Sequence, residues 1–154
     1  MMKLSLRAGV LVASVALVAG CATSAMSTKD AISARQELMK QQGAAMRSIQ
    51  DKLKAGQVQA VAADAKTLAE TAKRIPAMFP AGSLDPLTSR AKPEIWQKWP
   101  EFEGYAKSLE SKAATLGATA QGGNAQATQA AVADLGKTTC GACHQAFRGP
   151  EIKK

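Results

Sequence analysis

The sequence predicts an all-α fold, an antiparallel up-down-up-down four-helix bundle. Three observations point there. Apolar residues recur at steps of three, four and seven along four separate stretches. Clusters of Gly and Pro separate those stretches, and no run alternates apolar and polar residues with the period of a strand. Aromatic residues make up only 4% of the 154-residue chain and alanine is abundant, a balance that suits packed helices better than sheets.

Residues 1–20 are set aside as a targeting segment. Lys3 and Arg7 supply its positive start, and Ala8 to Ala19 is an apolar run too short to span a membrane comfortably. The run ends in Val18-Ala19-Gly20-Cys21, small residues before a Cys that resemble a bacterial lipobox. This predicts a lipoprotein-type signal peptide over 1–20, acylation of Cys21 and a polar tether over 21–28. Cleavage near Ala22 to Ala25, which discards Cys21, is the alternative. Either route puts the mature domain, residues 29–150, in the periplasm. Ala22 lacks the usual inner-membrane retention character, which favours an outer-membrane anchor.

The first helix is predicted over 29–54, from the seven-residue recurrence of Ile32, Met39, Met46 and Leu53, and it ends at Gly56. The second runs from about Gln57 to Ile75 on Val58, Val61, Ala65, Leu68, Ala72 and Ile75, and Pro76 stops it. Pro76 to Lys92 holds three breakers and is predicted to lack regular structure, with Phe79 and Leu84 tucked over the bundle end. The third helix starts near Pro93 with its seam on Ile95, Trp99, Phe102, Ala106, Leu109, Ala113 and Leu116. Pro100 kinks it or delays its regular start. A Gly-rich link over Gly117 to Asn124 leads into a fourth helix from about Ala125 to Phe147 or Arg148, closed by Gly149-Pro150. Residues 151–154 form a polar tail. Four helices joined by short links give the bundle its alternating directions.

Near the end of the fourth helix stands Cys140-Gly-Ala-Cys143-His144. This is the attachment pattern of a c-type haem. Two thiols add across the porphyrin vinyl groups, and the neighbouring imidazole binds iron from one face. Helical spacing of three and four brings Cys140, Cys143 and His144 to one side. A structural zinc site needs four ligands, and only Cys21 remains as a further thiolate with no second His.

His144 is the only histidine, so bis-His ligation within the chain is impossible. The soft neutral candidates for the other axial site are Met26, Met39, Met46 and Met78. Met26 falls in the tether and Met78 beyond a helix end. Met39 and Met46 share the core stripe of helix one. The haem hangs from the last turns of helix four, and helix one runs antiparallel to it. Met39, nearer the start of helix one, is therefore the better-placed thioether. Arg35, one turn before Met39, either pairs a propionate or is a surface residue. Arg148 either shields a haem face or caps the helix as a solvated cation. Phe147, Trp96 and Trp99 are assigned to packing.

The stretches Ala34-Arg-Gln-Glu-Leu38-Met39-Lys40, Pro93-Glu-Ile-Trp96 and CGACHQAFR resemble the cytochrome c′ family, the class II c-type cytochromes. The segment from Glu70 to Pro80 is similar to the low-spin branch called cytochrome c-556. The resemblance implies one haem c, covalent through Cys140 and Cys143, with His144 and Met39 as axial ligands. It implies single-electron transfer in a respiratory or photosynthetic chain rather than enzymatic turnover, and a possible homodimer. The alternative it carries is a high-spin, five-coordinate protein that binds nitric oxide or carbon monoxide.

Formal net charge is +8, and removing Lys3 and Arg7 with the leader leaves +6. That balance suits an acidic redox partner, with Lys40, Lys137 and Arg148 around the haem edge. No basic run is interleaved with aromatics, which argues against nucleic acid.

Overall fold

The computed structural model describes residues 26–152, so Cys21 and the predicted leader lie outside the described residues. Helix α1 spans Thr28–Lys54. The Ser27 hydroxyl caps it by accepting from the Asp30 amide at 3.2 Å. At its other end the Gly56 amide donates to the Leu53 carbonyl at 3.1 Å and the Gln57 amide to the Lys52 carbonyl at 2.8 Å. Gly56 has φ +73°, so a left-handed glycine turns the chain out of the helix.

That reversal delays the second helix. Gln57 to Ala60 form tight turns that bury Val58, and α2 spans Val61–Arg74. Pro76 ends α2, yet the connection is not wholly irregular: Pro76–Met78 makes one 3₁₀ turn, which a proline opens without loss of a needed donor. Phe79 is buried as predicted. Leu84 is not tucked in; it is exposed.

The third predicted helix is split. Helix α3 spans Glu94–Gln97, Lys98 leaves the helical region at φ −117° and ψ 44°, and α4 spans Trp99–Gln121. Pro100 sits in the first turn of α4, where its missing N–H costs nothing. The predicted link over 117–124 is corrected: α4 runs through Gly117, and only Gly122 to Asn124 turn. A Cβ on Gly117 would stand 3.7 Å from Ala65 Cβ, so this glycine serves close helix approach rather than a break.

The fourth rod is one continuous helical backbone of three parts: α5 over Ala125–Leu135, a π turn over Gly136–Gly141 and α6 over Ala142–Phe147. Asn124 Oδ1 caps α5 by accepting from the Ala127 amide at 2.9 Å. Residues 148–149 are extended and held against the Pro80–Lys92 connection. The Lys92 amide donates to Phe147 O at 3.0 Å, and the Gly149 amide donates to Arg90 O at 2.7 Å.

Among the described residues the fold is helical with no strand beyond the single Ala91–Arg148 bridge. Helices α2 and α4 form the close central pair, α1 lies on α2 and α5 lies on α4. Polar links hold α1 to α2: Lys52 and Ser48 both donate to Asp64, at 2.6 and 2.9 Å, and Gln42 donates to Thr71. The outer rods, α1 and the fourth, are the two left apart, and the functional cavity opens between them.

Candidate functional site

A cavity of about 660 Å³ lies between α1 and the last rod. From α1 it is lined by Arg35, Met39, Gln42 and Met46 among others. From the last rod come Thr139, Cys140, Cys143, His144, Phe147 and Arg148. Phe102, Tyr105, Ala106 and Leu109 of α4 form its floor, and Ser89, Arg90 and Ala91 close one end. Six predicted site residues, Arg35, Met39, Cys140, Cys143, His144 and Arg148, thus converge on one apolar space. Lys137 and the two tryptophans do not line it.

The π turn carries Cys140 into the wall. Each i→i+5 step widens the helix at a functional stretch, and the turn is crowded from within: a Cβ on Gly141 would stand 3.2 Å from Gly136 O. Thr139 spends its hydroxyl on the Leu135 carbonyl and so adds no free donor to the turn. Gly141→Ala should force the turn to relax and cost roughly 1–3 kcal/mol of stability. Urea denaturation of the holoprotein checks this.

Burial pushes the Cys143 thiol up to about 11, with Cys140 adding to the effect. Before haem is attached, the Cys143 thiol therefore sits as a neutral SH group at neutral pH. Burial, then the cations Arg148 and Arg90, hold the His144 imidazole below its usual range. A neutral imidazole keeps the lone pair that a metal needs.

Arg35 departs from a surface role. It is only 4% exposed. Its guanidinium donates to Ser83 O at 2.8 Å, Ser89 Oγ at 2.9 Å and Ser83 Oγ at 3.2 Å, and lies 4.9 Å from the Phe79 ring centroid. Ser83 and Ser89 were not legible as site residues, since a loop serine carries no spacing signal. Arg35 Nε is buried without a partner. Arg35→Met should free the loop from α1 and cost about 1.5–3 kcal/mol, the range for hydrogen bonds to a charged group. The urea midpoint of the holoprotein reads this out.

Aromatic rings brace the floor. Phe102 meets Phe79 and Phe147 edge-on at centroid distances of 4.8 and 5.5 Å, and Tyr105 meets Phe147 at 6.1 Å. Trp96 Nε1 donates to Phe79 O and Pro80 O, both at 3.1 Å, which pins the connection over α3. Lys92 Nζ donates to Ala146 O at 3.1 Å and so caps the end of α6.

The donor set fits a covalently held haem. Two thiols and one imidazole stand on one helical stretch, the walls are apolar, and the orphaned Arg35 Nε suits a carboxylate. Among the described residues no group of three or more His, Cys, Asp or Glu could hold a bare ion. Fold and site together define a c-type cytochrome of the four-helix class.

The chain belongs to the cytochrome c′ family, whose model, described as Cytochrome C′, matches residues 30–148. It is 36% identical over 117 residues to cytochrome c-556 of Agrobacterium tumefaciens (strain II Chrys), covering 74% of this chain and 93% of that protein. It superposes on cytochrome c′ from Thermochromatium tepidum with a TM-score of 0.71 and 30% identity, over 82% of this chain and all of the other. A nitric oxide complex of a cytochrome c prime variant from Alcaligenes xylosoxidans matches with a TM-score of 0.69 and 25% identity, over 80% and 97%. Like its family, the chain binds haem c covalently, through Cys140 and Cys143.

Proposed function

We propose that the chain is a periplasmic single-electron carrier in which His144 and Met39 hold the haem iron from opposite sides. Haem c, when bound, supplies reversible one-electron exchange. The observation that carries the choice of Met39 is the register of α1 against the last rod. Met46 Cε lies 3.9 Å from where a Cβ on Gly136 would be, so Met46 and Gly136 stand level. The two rods run in opposite directions. Seven residues back from Met46 is Met39, and seven residues on from Gly136 is Cys143. The α1 step spans about 10 Å, and the other is somewhat shorter because Gly136–Gly141 is a π turn. Met39 is therefore level with Cys143 and His144, and Met46 is about two turns away. Continuing the same register sets Arg35 opposite Phe147 and Arg148, where the unpartnered Arg35 Nε would hold a haem carboxylate and Arg148 would stand beside it.

Were His144 and Met39 both to hold haem iron, they would leave no open position for a substrate. His/Met ligation raises the reduction potential. The carrier reading is tested by absorption spectroscopy of the purified holoprotein: a low-spin spectrum in both oxidation states, unchanged under carbon monoxide, is expected. A high-spin spectrum with carbon monoxide uptake overturns it. The gas-binding reading is favoured by one observation, the likeness to a cytochrome c prime variant in complex with nitric oxide, and the same spectrum decides between the two.

Every charged side chain lining the cavity is basic: Arg35, Lys40, Arg47, Arg90 and Arg148. Two propionates neutralise only part of this, and the remainder suits an acidic redox partner. Lys40→Glu with Arg47→Glu should slow electron exchange with an acidic redox protein about tenfold at low ionic strength. Stopped-flow rates should converge with those of the unmodified protein above roughly 0.5 M salt, as the Debye length shrinks. Acylation at Cys21 and an outer-membrane anchor belong to the same reading. The Cys21 position lies outside the described residues.

A further inference from the structure

Among the described residues the exposed large apolar side chains are Met26, Leu84, Leu87 and Ile152. They gather at one end of the bundle. Thr28, two residues after Met26, donates to Gly82 O at 3.4 Å, which sets the start of α1 beside the loop bearing Leu84 and Leu87. Gln36 donates to Thr88 O at 3.0 Å and ties the rest of that loop to α1. Ile152 follows Gly149, which pairs with Arg90 at the same end. The opposite end, where Gln59 meets Gln121, carries Gly, Gln, Ala and Asn around the buried Val58, with no exposed large apolar residue among the described residues.

Leu87 is 81% exposed although its loop is not loose. Asp85 accepts from the Leu87 amide and the Thr88 hydroxyl, and Arg35 grips Ser83 and Ser89. The framework that buries Arg35 holds the two leucines outward. Pro80 to Leu87 contains no cation, and Asp85 is its single acid, already engaged by the turn. Charges of both signs stand around this end: Lys29 beside Asp30, Arg90 paired with Glu151 at 3.7 Å, and Lys92 and Arg148. Apolar side chains held outward amid charges of both signs form a surface suited to a lipid interface.

The chain outside the structure decides the occupant. It leaves from this same end, at Met26, and Cys21 is five residues earlier. Five extended residues reach at most about 17 Å, so an acyl group on Cys21 would hold this end, and no other, at a bilayer. We infer that the end of the bundle formed by the start of α1 and the Pro80–Leu87 loop lies against a phospholipid surface, with Leu84 and Leu87 dipping into its headgroup region. This rests on the lipoprotein reading above. Because Ser89, Arg90 and Ala91 continue the same loop into the haem cavity, the cavity's mouth would be presented close to the membrane, within range of a membrane-bound redox partner.

The test uses the full chain, expressed and purified as holoprotein and mixed with phosphatidylethanolamine–phosphatidylglycerol vesicles carrying a diazirine on the acyl chain. After illumination, tryptic peptides are mapped by mass spectrometry. Lipid adducts on Ile75–Arg90 should exceed those on Ala113–Lys137 about tenfold, and L84S/L87S should remove the excess while leaving the haem spectrum unchanged. Equal labelling of both peptides, labelling indifferent to L84S/L87S, or cross-links between two copies through Ile75–Arg90 would each overturn the proposal. The mass of the mature N-terminal peptide separates the two readings. Preferential labelling without acylation keeps the lipid-facing end and discards the anchor; acylation with even labelling does the reverse.

Discussion

Met39→Leu should convert the protein from low-spin to high-spin and open it to carbon monoxide. Leucine nearly matches the volume of methionine, so packing along α1 changes by less than about 1.5 kcal/mol. What goes is the thioether lone pair level with His144. The reduction potential should fall by on the order of 0.1 V, a modest part of the range that axial ligands command. Carbon monoxide binding should go from undetectable to saturable. Far-UV circular dichroism should not move, because the cavity walls and the Arg35 clamp are untouched. Met46→Leu serves as the matched control. Its side chain is level with Gly136 rather than His144, so its spectrum should stay low-spin. The reverse outcome, Met39→Leu low-spin and Met46→Leu high-spin, would mean that the rods are offset by two turns from the register described.

Much of this site was legible because its parts carry spacing. Cys140, Cys143 and His144 announce themselves within five residues, and the seven-residue stripe put Met39 and Met46 on one face of α1. What escaped was set by partners distant in sequence. Arg35 looked optional because its three acceptor atoms sit on Ser83 and Ser89, about fifty residues away and without pattern. Gly117 looked like a breaker because glycine usually is one; its helical place comes from Ala65 across the α2–α4 contact. The π turn has no composition of its own, since Gly136 to Gly141 satisfies an α-helical period equally well. Leu84 was predicted to tuck in because apolar residues usually do. The loop's hydrogen bonds to α1 hold it out instead, a decision no local propensity records.

Removing the haem should cost the protein its fixed tertiary structure. The cavity of about 660 Å³ is lined largely by apolar side chains of α1, α4 and the last rod. At roughly 24 cal/mol per Å³, leaving such a space empty would cost up to about 16 kcal/mol. The whole stability of a domain this size is about 5–15 kcal/mol. The walls cannot stay where they are, and α1, packed on α2 along one side but separated from the last rod along the other, is the element that should collapse inward. Cys140→Ala with Cys143→Ala removes both thioether bonds, and any haem retained through His144 should extract into acidified organic solvent. The extracted chain should keep most of its far-UV helical signal, lose its near-UV aromatic signal and bind a hydrophobic dye, since Phe79, Phe102, Phe147 and Tyr105 meet edge-on in the walls that would have to move. The α2–α4 pair, close-packed through Ala65 and Gly117, should be the last to exchange its amide protons. A haem-free chain that still melted cooperatively at the holoprotein's temperature would show that the four rods close without the cofactor, and the cavity would then be a product of haem binding rather than a space the sequence leaves open for it.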